Sequence, residues 1–180
     1  LENDEVRRRL ERLATTDGLT GLFNRHHFMA LAADEMARAA RYGRPITVGI
    51  ADLDHFKQVN DTLGHAAGDH VLKTFAALLG DTLRQTDRVC RYGGEEFAFV
   101  FPETTPEEAQ LLGERLRVRL LESPPVLPDG RHLAVTFSLG LADASGCGLE
   151  ESLARADLGL YEAKRAGRNR TVVTRRPDGL

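Results

Sequence analysis

Two adjacent glycines, two carboxylates and an alternating aromatic run follow one another in Arg91-Tyr92-Gly93-Gly94-Glu95-Glu96-Phe97-Ala98-Phe99-Val100-Phe101, and no other segment constrains the fold as much. Paired glycines permit a tight turn that other residues would strain, and a period-two apolar run reads as a buried strand. The expected unit is a hairpin of residues 88–91 and 97–101 around Gly93-Gly94. Such a strand anchors the turn and lifts Glu95 and Glu96 out of the core, where acids suit a metal ion or a phosphate reaction. Alone, the segment fits a Gly-Gly hairpin with surface acids equally well. Its partners in the chain decide.

The remaining elements surround this hairpin. Asn24 is placed to cap a helix running to about Tyr42, and Pro45 precedes Ile46-Thr47-Val48-Gly49-Ile50-Ala51, apolar on both faces and therefore a central strand. After a turn, a helix is expected over about 66–83, with Val71, Leu72, Phe75, Leu78 and Leu79 on one face. Pro106 opens a third helix, residues 133–141 read as a strand, Leu149, Leu153, Ala156, Leu160 and Ala163 form an amphipathic stripe, and residues 171–174 close the domain as a short strand. A hairpin among helix-linked strands implies a mixed sheet, so the fold class is α/β (α+β). The expected organisation is an N-terminal signalling helix or coiled-coil end over 1–14, one domain over 15–175, and a mobile tail over 176–180. Val6, Leu10 and Leu13 fit either a frayed helix or the last turns of a coiled coil from upstream. The chain opens on Leu1 rather than Met, so a longer protein with an upstream sensor is expected.

Composition narrows the function classes. A net charge of −3 gives no electrostatic case for a nucleic-acid polymer as partner. Cys90 and Cys147 are isolated and read as small apolar residues, which fits a reducing cytoplasm. There is no apolar run long enough to span a membrane in this segment; an anchor, if the full-length protein has one, is expected upstream.

Asp52 and Asp54 flank Leu53 where the central strand ends, and residues two apart on a strand share a side. If the hairpin packs alongside, Asp52 and Glu95 converge; two carboxylates and a backbone carbonyl make an all-oxygen site suited to Mg²⁺ or Mn²⁺ rather than zinc. Asp54 is expected instead to cap the following turn. Lys57 follows in the same loop, and Lys164 and Arg168, four apart near the end of the last helix, would suit a triphosphate, though spacing alone fits a solvated helix end favoured by its dipole. No Gly-x-x-x-x-Gly-Lys-Ser/Thr loop is present, so a nucleotide would not be held in P-loop fashion. Asn60 and Asp69, expected in one polar turn, form a plausible guanine reader: a carboxylate accepts from N1–H and N2–H₂, and an amide donates to O6, whereas adenine would leave the acid unpaired. Asp69 simply favouring the first turn of a helix is the plainer alternative. The histidines show no metal spacing.

Taken in order, Asp17-Gly18-Leu19-Thr20-Gly21-Leu22-Phe23-Asn24-Arg25, Asp52-Leu53-Asp54-His55-Phe56-Lys57-Gln58-Val59-Asn60-Asp61, Gly64-His65-Ala66-Ala67-Gly68-Asp69, the hairpin, and Tyr161-Glu162-Ala163-Lys164-Arg165-Ala166-Gly167-Arg168-Asn169 resemble the GGDEF-domain diguanylate cyclase family in its Gly-Gly-Glu-Glu-Phe variant. The resemblance implies a palm-like nucleotidyl cyclase fold that condenses two GTP into cyclic di-GMP and two pyrophosphates in a transient homodimer. It implies Asp52, the Leu53 carbonyl and Glu95 as ligands of Mg²⁺ or Mn²⁺, two ions per GTP, with Glu95, Glu96 and Gly94 at the catalytic turn. It further implies Lys57, Lys164, Arg168 and the backbone around His55 and Phe56 as phosphate contacts, and Asn60 and Asp69 as guanine contacts. Arg84-Gln85-Thr86-Asp87, with Arg115, resembles the family's inhibitory site for product. Gly159 stands where the family commonly has Ala, a departure expected to weaken packing slightly. Two rivals remain: a degenerate domain that binds nucleotide without catalysis, which usually lacks the glycines or acids kept here, and an adenylyl or mixed cyclase, which Asp69 disfavours.

Overall fold

The computed structural model describes residues 2–175; the tail expected over 176–180 lies outside them. Helix α1 (Glu2–Thr15) leads into a short strand β1 (Phe23–Asn24), α2 (Arg25–Tyr42), β2 (Ile46–Leu53), α3 (Phe56–Leu63), α4 (His65–Thr82), β3 (Arg88–Arg91), β4 (Glu96–Pro102), α5 (Pro106–Glu122), β5 (Phe137–Asp143), α6 (Leu149–Arg165) and β6 (Thr171–Thr174). The strands form one sheet in the order β1-β3-β4-β2-β5-β6. β2 lies at its centre, antiparallel to both β4 and β5, while β1 runs parallel to β3 and β6 parallel to β5. The mixed sheet wrapped by helices is the expected architecture. Among the described residues no helix is long and apolar enough to cross a membrane.

Strand periodicity sorts the core into two layers. Ala51, Leu53, Phe97, Phe99, Phe101, Phe137, Leu139 and Leu141 face α4 and α5, where Phe75 packs edge-on to Phe97 at 4.9 Å between ring centres. Ile46, Val48, Ile50, Ala98, Val100 and Ala142 face α2 and α6. Asp52 and Glu96 continue that second series, so β2 and β4 deliver both acids to the α6 side.

Four elements depart from expectation. The stretch after Asp54 folds into α3, whose Phe56, Val59 and Leu63 make a short apolar stripe that Gly64 interrupts too soon for periodicity to stand out. β1 is only two residues long, below any pattern threshold. β5 begins at Phe137 rather than 133, because Leu133 N–H donates to Pro125 O and Val126 bridges His132, spending the preceding residues on their own loop. The last helix stops at Arg165, so Lys164 and Arg168 do not share a helical face; Arg168 sits in the following turn at φ 65°. Asn24 does cap α2, accepting from His27 N–H at 2.9 Å. On α1, Val6, Leu10 and Leu13 are 52%, 61% and 70% exposed, an apolar stripe that the domain itself leaves uncovered.

α6 lies unusually close to the sheet. A Cβ on Gly140 would overlap Ala156 O and Leu160 N, and one on Gly159 would lie 3.2 Å from Gly140 Cα, 3.1 Å from Val172 O and 2.6 Å from Thr174 Oγ1. Gly159 therefore suits this packing rather than weakening it, which corrects the expectation drawn from its departure. Since backbone cannot yield as a side-chain end can, Gly140→Ala should cost about 2–3 kcal/mol, more than Gly159→Ala. Thermal unfolding should show a Tm roughly 5–10 °C lower for Gly140→Ala; an unchanged Tm would mean that α6 has slack against β5.

Candidate active site

The charged residues gather where β2 ends, beside the β3–β4 turn and the end of α6. Asp52 is 7% exposed, stands opposite Glu96 on β4 and Ser138 on β5, and accepts from Lys164 Nζ at 3.1 Å through Oδ2. Burial pushes its carboxyl above the ordinary 3.8; Lys164 opposes the rise and the Asp54 charge adds to it. Glu95 and Glu96 are half-buried, and both are raised above the ordinary 4.5, first by burial and next by the Asp52 charge. Glu96 also feels Asp157, with Lys164 and Arg25 acting in the opposite sense. Glu95 and Glu96 thus lie within reach of the Asp52 charge, and the Lys164 ammonium is seated on Asp52 itself. Such a cluster holds protons tightly and would gain from a further cation.

Backbone hydrogen bonds fix the turn. Tyr92 N–H and Gly93 N–H both donate to Glu96 O, at 2.7 and 3.2 Å, and Leu53 N–H donates to Glu95 O at 3.3 Å. Neither Gly93 nor Gly94 has positive φ, so the glycines are not there to relieve backbone strain. A Cβ on Gly93 would lie 2.6 Å from Glu96 Oε2, whereas Gly94 faces open space. Arg91 completes the clamp: its Nε and Nη2 donate to Gly94 O at 3.1 and 2.8 Å, while Nη1 lies 3.4 Å from Asp17 Oδ2. Asp17 in turn accepts from Thr20 N–H and Oγ1–H. Sequence reading assigned nothing to this Asp17–Arg91 pair; a guanidinium just before a double glycine and an acid in the Asp17-Gly18-Leu19-Thr20 turn were the available signals.

The other expected residues fall into two groups. His55, at φ 55°, and Phe56 begin α3, whose first N–H groups have no partner within the helix, and Lys57 is exposed on its first turn. Asn60 lies on α3 and Asp69 on α4, not in one loop; the helices pack so that Asn60 presses against Gly68, one residue from Asp69. Asp54 does not cap the next turn: it is 5% exposed and accepts from Thr136 Oγ1, Ser138 Oγ and Asn169 N–H. Arg84, Asp87 and Arg115 line a separate cleft of about 250 Å³ with Thr104, Glu108, Leu111 and Leu112, at the opposite end of β3 from the turn. There Arg84 N–H donates to Asp87 Oδ2 at 2.8 Å; burial raises the Asp87 carboxyl, and the charges of Arg84, Arg88 and Arg115 oppose the rise. Among the described residues, no three His, Cys, Asp or Glu side chains are grouped to hold a metal unaided. Side chains alone therefore do not complete a cation site.

Acids whose native values are raised add stability below the unfolded-chain range and lose it as pH climbs through the higher native values. Asp52, Glu95 and Glu96 must therefore weaken the fold at neutral pH. Glu96→Gln should raise Tm at pH 7 by roughly 1–3 °C, modest because the group is partly exposed. The gain should vanish near pH 4; a lower Tm at pH 7 would contradict mutual repulsion.

The family described as "Diguanylate cyclase, GGDEF domain" matches residues 14–170. The chain is 43% identical over 163 residues to the response regulator PleD of Caulobacter vibrioides, covering 89% of this chain and 36% of that protein. It is 44% identical over 161 residues to diguanylate cyclase DgcP of Pseudomonas aeruginosa, covering 89% of this chain and 24% of that one. The chain thus spans about a third or less of these relatives. Among solved structures, the coiled coil and GGDEF domain of DgcB from Caulobacter crescentus in complex with c-di-GMP superposes with a TM-score of 0.87 at 35% identity, over 96% of this chain and 93% of that one. The active GGEEF domain of a diguanylate cyclase from Vibrio cholerae gives 0.78 at 33% identity, over 86% and 98%.

Proposed function

The chain belongs to the GGDEF-domain diguanylate cyclase family, and on that premise we propose that it condenses two GTP into cyclic di-GMP and two pyrophosphates. The observation that carries this reading is the convergence of Asp52, Glu95, Glu96 and Lys164 beside the open backbone of Gly94. One chain offers one such cluster and one Asn60–Asp69 pair, while the product joins two nucleotides, so two copies meet with one GTP each. The uncovered Val6, Leu10 and Leu13 stripe supports α1 as the seam of that transient homodimer, continuous with an upstream sensor.

The donor set fits a hard divalent cation. Asp52 and Glu95 supply carboxylate oxygens, the Leu53 carbonyl a third, and the proton-hungry state of both acids is what a cation would relieve. Among the described residues side chains fall short of a closed cage, and phosphate oxygens of the substrate would complete it. Mg²⁺ or Mn²⁺, two per GTP, would polarise the α-phosphate, favour ionisation of the 3′-hydroxyl and neutralise the leaving pyrophosphate. The chain's own residues do the rest. Lys57, Lys164, Arg168 and the first N–H groups of α3 around His55 and Phe56 hold the triphosphate. Asn60 and Asp69 read the guanine, and Gly94 lets the nucleotide approach the turn. Glu96 adds a further carboxylate at the same turn, opposite Asp52 on the neighbouring strand.

Incubating the protein with GTP and Mg²⁺ and separating the products should give cyclic di-GMP and pyrophosphate, and ATP should give none. Asp52→Ala or Glu95→Ala should lower turnover roughly 10²-fold or more with the circular dichroism spectrum retained. Undiminished turnover in either variant would refute the site.

The Arg84, Asp87 and Arg115 cleft supports product inhibition at a place remote from the turn. A guanidinium binds phosphate or a guanine edge in two-pronged fashion, and alanine removes both modes. Cyclic di-GMP should inhibit the parent and not Arg84→Ala, whose uninhibited rate should match; equal inhibition of both would leave this cleft without a regulatory role.

A further inference from the structure

We propose that Asp54 is a positioning residue: through the Asn169 N–H it holds the turn that carries Arg168, and so sets the shape of the triphosphate arm. This rests on the reading of Arg168 as a phosphate contact. Asp54 follows the end of β2 by one residue and is almost wholly buried. Its Oδ1 accepts from Ser138 Oγ at 2.7 Å; its Oδ2 accepts from Thr136 Oγ1 at 2.6 Å and from Asn169 N–H at 3.0 Å. Its own N–H donates to Thr136 O at 2.9 Å. Asp54 makes no ion pair among the described residues, so three neutral donors share its charge.

Two of these donors belong to the neighbouring β5 region and would serve a structural purpose. The third crosses to the segment after α6, and there the backbone is unusual. Arg168 at φ 65° and Asn169 at φ 48° are consecutive non-glycine residues in the left-handed region, which side chains resist. Three hydrogen bonds engage the pair: Arg168 N–H to Ala163 O at 2.9 Å, which closes the helix end, the exposed Arg170 Nε to Arg168 O at 3.0 Å, and Asn169 N–H to the buried Asp54. Asp52, two residues before Asp54, holds Lys164 at the other end of the same segment. The end of one strand thus fixes residues 164–169 at two points, its first carboxylate through a side chain and its second through the backbone.

An aspartate suits this role better than an asparagine. Three donors need acceptors, and an amide offers one neutral oxygen in place of two that share a full charge. Asp54→Asn replaces the charged acceptor of the Asn169 N–H by a neutral amide oxygen, which weakens that bond while keeping the volume of the side chain. Ser138→Ala and Thr136→Val remove the other two donors and leave the bond to Asn169 in place, so they report what destabilisation alone does.

The test combines amide hydrogen exchange with steady-state kinetics. In Asp54→Asn, exchange across residues 164–170 should accelerate about tenfold or more relative to the rest of the domain, which Ser138→Ala should not reproduce. KM for GTP should rise about five- to tenfold with kcat changing much less, and adding Arg168→Ala to Asp54→Asn should raise KM little further. Unaltered exchange in that segment, or the same KM rise in Ser138→Ala, would overturn the proposal, as would fully additive effects of Asp54→Asn and Arg168→Ala. Should Asp54→Asn fail to fold, an ester in place of the Arg168–Asn169 amide, installed by semisynthesis, removes the N–H and leaves every side chain intact; it should give the same KM rise, and an unchanged KM overturns the proposal. If Arg168→Ala alone leaves KM unchanged, the phosphate role of Arg168 fails, and the exchange result still decides whether Asp54 holds the turn.

Discussion

A central strand with two paired edges and two covered faces can end in charge only if partners meet that charge at once. β2 is buried along its whole length and passes directly into Asp52 and Asp54, themselves nearly excluded from water. Lys164 meets the first; two hydroxyls and a backbone N–H meet the second. These partners come from β5 and the residue before it, from the last turn of α6 and from the segment that follows, so satisfying two acids recruits the far half of the chain to one point. Uncompensated charge at such depth would cost several kcal/mol, which is why the last strands and α6 must take up this arrangement for β2 to stay buried.

The same economy explains the unusual contact of α6 with the sheet. Lys164 reaches Asp52 from a helix that lies against Gly140 with Gly159 turned toward the sheet. The mutual repulsion of Asp52, Glu95 and Glu96 is the reverse of what stability alone would select. Stability spent on unfavourable charge at a cleft is commonly found where charge is to be used.

Much of this was legible in the residues. Strand alternation in Phe97-Ala98-Phe99-Val100-Phe101 and the all-apolar Ile46-Thr47-Val48-Gly49-Ile50-Ala51 identified the hairpin and the central strand, because period two survives burial. Short-range order hid what depended on tertiary partners. α3 is too brief for its stripe to declare itself, and nothing local in Arg168 announces a left-handed turn, since the carboxylate that holds it is 115 residues away in sequence. Capping is the common use of an aspartate after a strand, and Asp54 departs from it because its donors lie on and just before β5 and beyond α6. The glycines of the hairpin were read through backbone freedom, whereas the room they leave for Glu96 and for the open side of the turn is what the fold uses.

Strand order has a consequence for the chain as it is made. β2 leaves the ribosome before either partner strand, and β4 can pair with one of its edges once residue 102 has emerged, but the other edge waits for β5 at residues 137–143. At ordinary elongation rates that interval is on the order of ten seconds from the end of β2. Throughout it the nascent domain shows an unpaired edge on the strand that will be buried along its whole length, a template for neighbouring chains. Asp52 and Asp54, at and just past the end of that strand, have no partners until α6 and β5 arrive, so the exposed edge carries two charges beside it during the wait.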